Sequence, residues 1–382
     1  MDQNFWHRRR VLVTGHTGFK GGWLAIWLNQ LGAVVSGVAL KPATDPSLYE
    51  LGRLGQRIES LVADIRDEAA VTRTFANVRP EVVFHLAAQS LVRRSYREPV
   101  ATLATNVMGT AHVLEAARLT ASVRAVVVVT SDKCYANRDA PEAHREDDRL
   151  GGHDPYSASK GCAELIASAY QRSFCGQTRL AIATVRAGNV IGGGDWAEDR
   201  LVPDAIRALS RGEPLRVRNP HSVRPWQHVL EPLAGYLMLA ERLCADGQKW
   251  SGAWNFGPNV GDAWEVREVA DQIVRNWPAG SWIALPDEGA PHESAQLRLD
   301  SAKARSILGW KSVLPLDNAV RLTVDWHRAV MEGADAFELT CAQIQEFQRK
   351  AAAATPAAGT PTPAAGTPTP AAGTPTPAIG NP

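Results

Sequence analysis

The sequence predicts an α/β fold, a doubly wound parallel sheet followed by a smaller C-terminal substrate-binding lobe, on the strength of three features. Short, uninterrupted apolar runs alternate with segments of helical spacing through the first half of the chain. The first run ends in a glycine-rich turn that opens a helix. From about Gly188 onward the alternation loosens into short strands, loops rich in proline, tryptophan and arginine, and a few helices. Strands buried on both faces read as continuous apolar runs, and crossover helices between parallel strands supply that double cover.

The elements follow in order. Arg10–Thr14 is the first strand, and helical spacing runs from Trp23 to Leu31. Val34–Leu40 and Leu61–Asp64 are the second and third strands, Val82–Leu86 the fourth and Ala125–Thr130 the fifth. Helices over Glu68–Asn77 and Val100–Leu119 separate them, and a helix over Tyr156–Phe174 precedes a sixth strand, Leu180–Arg186. Helices over Leu230–Leu243, Val266–Trp277 and Leu316–Met331 belong to the second lobe. The expected division is a dinucleotide-binding domain over residues 1–187, a substrate-binding lobe over 188–350 and a tail over 351–382. That tail carries three consecutive copies of Ala-Ala-Gly-Thr-Pro-Thr-Pro and no charged residue, a composition with too little apolar area to offset the entropy of ordering.

Composition excludes several function classes. The chain has 382 residues, 45% of them hydrophobic, enough for a substantial core. Its 41 basic and 40 acidic residues leave a net charge of +1, whereas a protein that coats phosphate backbones carries a basic surplus, so nucleic acid is not an expected partner. Apolar runs fall short of the ~20 residues that span a bilayer. The basic run Arg8–Arg10 is followed by an apolar stretch that stops at Thr14, too short for a signal peptide, so a cytoplasmic location without membrane association is expected. The five cysteines (Cys134, Cys162, Cys175, Cys244 and Cys341) show no CxxC spacing, which argues against zinc, any other metal site and a disulfide framework.

Three motifs carry chemistry. Thr14-Gly15-His16-Thr17-Gly18-Phe19-Lys20-Gly21 joins the first strand to the first helix, and its glycine spacing allows a tight turn against a pyrophosphate at the helix N-terminus, the Rossmann arrangement. Tyr156-Ser157-Ala158-Ser159-Lys160 places a phenol and an ammonium four residues apart on one helical face, where the cation is expected to lower the tyrosine pKa. Thr130-Ser131-Asp132-Lys133 ends the fifth strand, at the sheet edge that faces the ligand crevice in such folds.

These motifs, in this order, resemble the extended short-chain dehydrogenase/reductase superfamily. With His85-Leu86-Ala87-Ala88-Gln89, Gly188-Asn189-Val190-Ile191-Gly192-Gly193-Gly194-Asp195-Trp196 and Arg224-Pro225-Trp226-Gln227-His228, the chain is similar over roughly residues 5–345 to the CDP-glucose 4,6-dehydratases. Asp132-Lys133 discriminates most, because related dTDP-sugar dehydratases carry Asp-Glu there and epimerases lack the pair. The resemblance implies a hydro-lyase that converts CDP-D-glucose to CDP-4-keto-6-deoxy-D-glucose for deoxysugar synthesis of the lipopolysaccharide O-antigen type. Tyr156 would take the C4 hydroxyl proton, Ser131 would bind that hydroxyl, Lys160 would hold the cofactor ribose, Lys133 would remove the C5 proton and Asp132 would protonate the departing C6 hydroxyl. The cofactor site would comprise Gly15, Thr17, Gly18, Phe19, Gly21, Asp64, Ile65, Leu86, Ala87, Ala88 and Thr130 together with Tyr156 and Lys160. Gln89, Asn189, Arg200, Arg218, Arg224, His292 and Glu293 would bind the nucleotide sugar. NAD is the expected cofactor; Lys41, where the family usually shows an acidic residue, admits NADP. A homodimer or higher homo-oligomer is implied by the helices around Val100–Leu119 and Tyr156–Phe174. The competing readings are a nucleotide-sugar 4-epimerase, a dehydratase of another nucleotide-hexose, and a catalytically silent NAD(P)-binding regulator.

Overall fold

The computed structural model describes residues 2–136, 142–258, 264–285 and 296–354. Its centre is a seven-stranded parallel sheet. The strands are β1 (Arg10–Thr14), β2 (Val34–Ala39), β3 (Glu59–Val62), β4 (Val82–His85), β5 (Ala125–Val129), β6 (Ala181–Ala187) and β7 (Gly252–Phe256). They lie in the order β7-β6-β5-β4-β1-β2-β3. Strand β1 pairs with β2 through Arg10↔Val34 to Thr14↔Val38, and with β4 through Val11↔Val82 to Thr14↔His85. The strand order therefore reverses direction at β1, and a crevice opens beyond its carboxyl end.

Alternate residues of each strand feed two cores. Val11, Val13, Phe84 and Val127 pack on one face with Trp23, Leu24 and Trp27 of helix α1 (Phe19–Gln30). Leu12, Val83, Val126 and Val128 pack on the other with residues of α2 (Glu68–Val78), α3 (Gly109–Leu119) and α4 (Pro155–Phe174), among them Phe75, Val113 and Ala167. Burial on both faces explains why these strands lack polar alternation.

The second lobe has its own core, in which Ile206 of α5 (Leu201–Leu209), Ile273 of α7 (Val266–Arg275) and Val320 of α8 (Leu316–Met331) pack with Leu215 and Val217. Helix α6 (Leu230–Ala245) instead joins the core of the main sheet, as does Phe347 of α9 (Ala336–Ala353).

Three expectations change. Residues 100–119 form no unbroken helix: a helix over Pro99–Leu103 passes through a π-helical turn, Ala104–Met108, into α3. The sheet gains β7 from beyond residue 187, so its edge does not coincide with the division read from the sequence. Helix α9 continues to Ala353, past the expected start of the tail, and residues 355–382 lie outside the described ones. Among the described residues, no helix is long and apolar enough to cross a membrane.

Candidate active site

A cleft of about 930 Å3 runs along the carboxyl ends of the strands and is closed on one side by the second lobe. Four connections build its floor: the glycine turn after β1, Leu86–Gln89 after β4, Thr130–Lys133 after β5 and Gly188–Asn189 after β6.

The glycine turn is fixed by close backbone approach. Gly15 has φ +79°, and a Cβ there would lie 2.7 Å from the Ala87 nitrogen; a Cβ on Gly21 would lie 2.2 Å from the Gly15 oxygen. Thr14 stitches the turn to the neighbouring strand end, its Oγ1 accepting from the backbone N–H groups of Leu86 and Ala87, both at 3.1 Å. Gly18 caps α1 without a side chain, so the helix N-terminus opens on the cleft with room for a negative group. The turn thus has the shape and polarity that a dinucleotide pyrophosphate requires.

Helix α4 starts at Asp154-Pro155, where the Asp154 carboxylate accepts from the Ser157 N–H at 2.9 Å and proline occupies the first turn. This start sets Tyr156 and Lys160 on one face, both buried on the cleft wall. Opposite them, β5 leads through Thr130 into a 3-10 turn over Asp132–Cys134, with the Ser131 hydroxyl accepting from the Lys133 N–H at 3.2 Å. Ser131 donates to Asp132 Oδ1 at 2.9 Å, while Asp132 Oδ2, buried, has no hydrogen-bond partner among the described residues.

The electrostatics correct one expectation. Burial pushes the Tyr156 phenol up to about 12, against a hydrogen bond with Ser131 that acts to lower it; the Asp132 charge adds to the rise. Lys160 is not among the chief influences on the phenol; its ammonium donates to the Val129 carbonyl at 3.2 Å, and burial brings Lys160 itself down to about 8. Both shifts follow from desolvation of the charged form.

The remaining expected residues line the same cleft. Thr17 (its hydroxyl on the Leu40 carbonyl at 2.9 Å), Phe19, Asp64, Ile65, Leu86, Ala87, Ala88 and Lys41 lie along the half under β1–β4. Asp64 is held by Arg66 at 2.6 Å. Gln89 lies on the wall, but its carboxamide is engaged by Leu91 and Thr102, at 2.6–3.1 Å, which leaves it shaping the wall rather than reaching into the cleft. Asn189, Arg200, Arg218 and Arg224 line the half under the second lobe. Asp195 pairs with Arg200 at 2.9 Å and Asp199 with Arg218 at 2.7 Å, so each guanidinium is oriented by a carboxylate. His292 and Glu293 lie outside the described residues.

Lys20 belongs to this site and was not foreseen. It lines the cleft in the first turn of α1, and burial lowers it to about 8, helped by Arg200 and Lys160 and opposed by Asp132 and Asp195. The signal for it was a cation at a helix N-terminus, where the helix dipole disfavours positive charge.

Comparison with known proteins places this arrangement among relatives. Residues 12–323 match the family described as GDP-mannose 4,6 dehydratase. The CDP-glucose 4,6-dehydratase of Salmonella typhimurium is 48% identical over 353 residues, covering 91% of this chain and 98% of that protein. A UDP-glucose 4-epimerase of Mycolicibacterium smegmatis is 29% identical, covering 84% of this chain and 98% of that protein. Among solved structures, a UDP-glucose 4-epimerase from Stenotrophomonas maltophila with bound NAD and formylated UDP-arabinopyranose is similar at a TM-score of 0.74 and 26% identity, covering 86% of this chain and 100% of that one.

Proposed function

The chain belongs to the GDP-mannose 4,6-dehydratase family, and from that premise we infer that it is a CDP-D-glucose 4,6-dehydratase, an NAD-dependent hydro-lyase. The observation that carries this reading is the placement of Asp132 and Lys133 on the cleft wall opposite Tyr156 and Lys160, in a chain 48% identical to a CDP-glucose dehydratase. NAD accompanies relatives of this fold, and the glycine turn, whose Gly15 and Gly21 leave no space for a Cβ, fits its pyrophosphate. Lys41 lines the same end of the cleft and does not alter the NAD assignment.

When bound, NAD supplies the carrier that takes hydride from the sugar C4 and returns it to C6. The chain's own residues move the protons. Tyr156 is the base for the C4 hydroxyl, and Ser131, which hydrogen-bonds that phenol, holds the same hydroxyl in line. Lys160, an ammonium below about pH 8, binds the ribose hydroxyls of the cofactor. Once C4 is a ketone the C5 proton is acidic; Lys133 removes it, and Asp132, in its acid form, gives a proton to the C6 hydroxyl as it leaves as water. As C6 is reduced, Lys133 returns its proton to C5, and the proton held by Tyr156 restores Asp132. The buried Oδ2 of Asp132, without a partner among the described residues, supports that role. Arg200, Arg218 and Arg224 neutralise the substrate diphosphate, with Asn189 beside them. Net redox change over the cycle is zero.

Two further features complete the proposal. Exposed apolar side chains on the helices beside α4 and on α4 itself (Val100, Leu103, Met108, Leu165 and Phe174) support a homo-oligomer formed through this face. Five free cysteines support a reducing, cytoplasmic setting. The test of function is incubation of the pure chain with CDP-, dTDP-, GDP- and UDP-glucose. Loss of water from CDP-glucose alone is the expected result; retention of the C6 oxygen with inversion at C4 would make the chain an epimerase.

A further inference from the structure

Glu164 lies one helical turn beyond Lys160 on the inner face of α4, and Arg186 lies near the end of β6; both side chains are 3% exposed and form an ion pair at 2.8 Å. An ion pair so deeply buried contributes little to stability compared with apolar side chains of the same shape, so what it holds matters more than its strength. Glu164 Oε1 accepts from the Thr130 hydroxyl and from Arg186 Nε at 2.9 Å, and Oε2 accepts from Thr184 at 2.6 Å. Arg186 Nη1 donates to the Tyr135 hydroxyl at 2.6 Å and to the Glu146 carbonyl at 2.9 Å. Tyr135 in turn donates to Asn255 of β7 at 2.8 Å and stacks on His144 with ring centroids 4.6 Å apart. Thr130 and Tyr135 are the residues immediately before and after the segment Ser131–Cys134.

We propose that the Glu164–Arg186 pair is a positioning device for the reaction: it pins both ends of the turn that carries Ser131, Asp132 and Lys133, and it provides the buried counter-charge of Lys160. Among the described residues, the charged and titratable groups that face Lys160 are Glu164 and Tyr156 on its own helix, Cys134 on the turn, Lys20 from α1 and His85 from β4. Of these Glu164 is the one that acts chiefly to keep Lys160 protonated, against the burial that lowers it to about 8. Neither Glu164 nor Arg186 lines the cleft; both act through groups that do. This role rests on the dehydratase reading above only for its turnover arm.

The test uses the full chain and two readouts. NAD affinity, followed by calorimetric titration, should fall in the wild type as pH rises through about 8 and Lys160 loses its proton. In Glu164→Gln that fall should begin about one pH unit lower, with affinity equal to wild type at pH 6 and roughly tenfold weaker at pH 9. Because Glu164→Gln leaves Arg186 buried without its counter-charge, the double variant Glu164→Met with Arg186→Met, which replaces the pair by apolar chains of similar volume, carries the same expectation. A fall at the wild-type pH in either folded variant would overturn the counter-charge role. Tyr135→Phe severs the far end of the turn and leaves the pair intact. It should keep NAD affinity and its pH dependence, and lower kcat on CDP-glucose about tenfold with KM unchanged. Wild-type kcat in Tyr135→Phe would overturn the pinning of the turn. Absence of CDP-glucose dehydration by the wild type itself would refute the dehydratase reading instead, and the NAD titrations would still decide the role of the pair.

Discussion

Replacing Gly15 by alanine should separate cofactor binding from folding. Gly15 adopts φ +79°, a left-handed conformation that costs an L-residue roughly 1–2 kcal/mol. The new Cβ would also lie 2.7 Å from the Ala87 nitrogen and 2.9 Å from its Cα, backbone atoms with no rotamer to yield. Relief requires Leu86–Ala87 to move away from the turn, which breaks the Ala87 N–H bond to Thr14 Oγ1 at 3.1 Å and loses about 1 kcal/mol more. Together these amount to about 2–3 kcal/mol concentrated at the floor of the pyrophosphate site, equivalent to a roughly 30- to 150-fold loss of NAD affinity if the turn deforms only in the bound state. Calorimetric titration of NAD, with a urea unfolding curve of the same sample, measures both quantities. The expected result is a loss of affinity or stability, or both, that together reach that magnitude. Wild-type NAD affinity with wild-type stability would refute the account of the turn.

Further outcomes follow from the same site and core. Asp132→Asn and Lys133→Met should each keep NAD affinity and form some 4-keto sugar by C4 oxidation, while release of the 4-keto-6-deoxy product falls by about 100-fold or more, as read by mass spectrometry of the nucleotide sugar. Wild-type turnover by the double variant would remove both residues from the elimination step. Glu231 on α6 is fully buried and burial raises its carboxyl to about 7, against hydrogen bonds from Leu314, Val313 and Ser312. The folded state therefore holds this proton longer than the unfolded chain does, so stability is full below about 4.5 and declines as pH rises to about 7, by about 3 kcal/mol. Glu231→Gln keeps an oxygen to accept from the N–H groups of Val313 and Leu314, and should gain up to about that amount at pH 8 and nothing at pH 4, measured by urea unfolding at the two pH values. An equal effect at both pH values would contradict the shift.

Much of this architecture is legible in residue pattern because parallel strands buried on both faces write themselves as apolar runs. Val126, Val127 and Val128 alternate between the two cores, yet none contacts water. Strand β7 escapes that rule: Gly252-Ala253-Trp254-Asn255-Phe256 contains a glycine and a buried Asn255 whose amide serves the His144 and Asp300 carbonyls, so its sequence reads as loop. The break at Ala104–Met108 was hidden for the opposite reason, since a π-helical turn keeps its apolar content and changes only its register. Within the site, Gly15, Gly21, Tyr156, Lys160 and Asp132-Lys133 announce themselves through local spacing. Thr14, Glu164 and Arg186 do not, because each acts through groups distant in the chain: Thr14 reaches Ala87, and Arg186 reaches Tyr135 and Glu164. The direction of the Tyr156 shift was likewise out of reach of spacing. Residue spacing shows that a lysine is near the phenol but not how deeply the phenol is buried, and here burial decides the net direction.

Isotope transfer follows the internal hydride path from C4 to C6. A redox-neutral dehydration requires the hydride removed from C4 to return to C6 of the same bound sugar, with the cofactor retained through the elimination proposed for Lys133 and Asp132. CDP-glucose carrying deuterium at C4 should therefore give CDP-4-keto-6-deoxyglucose with deuterium at C6 and no stoichiometric consumption of NAD. Deuterium recovered in free reduced cofactor, with an unlabelled C6, would identify an ordinary dehydrogenase and contradict the account.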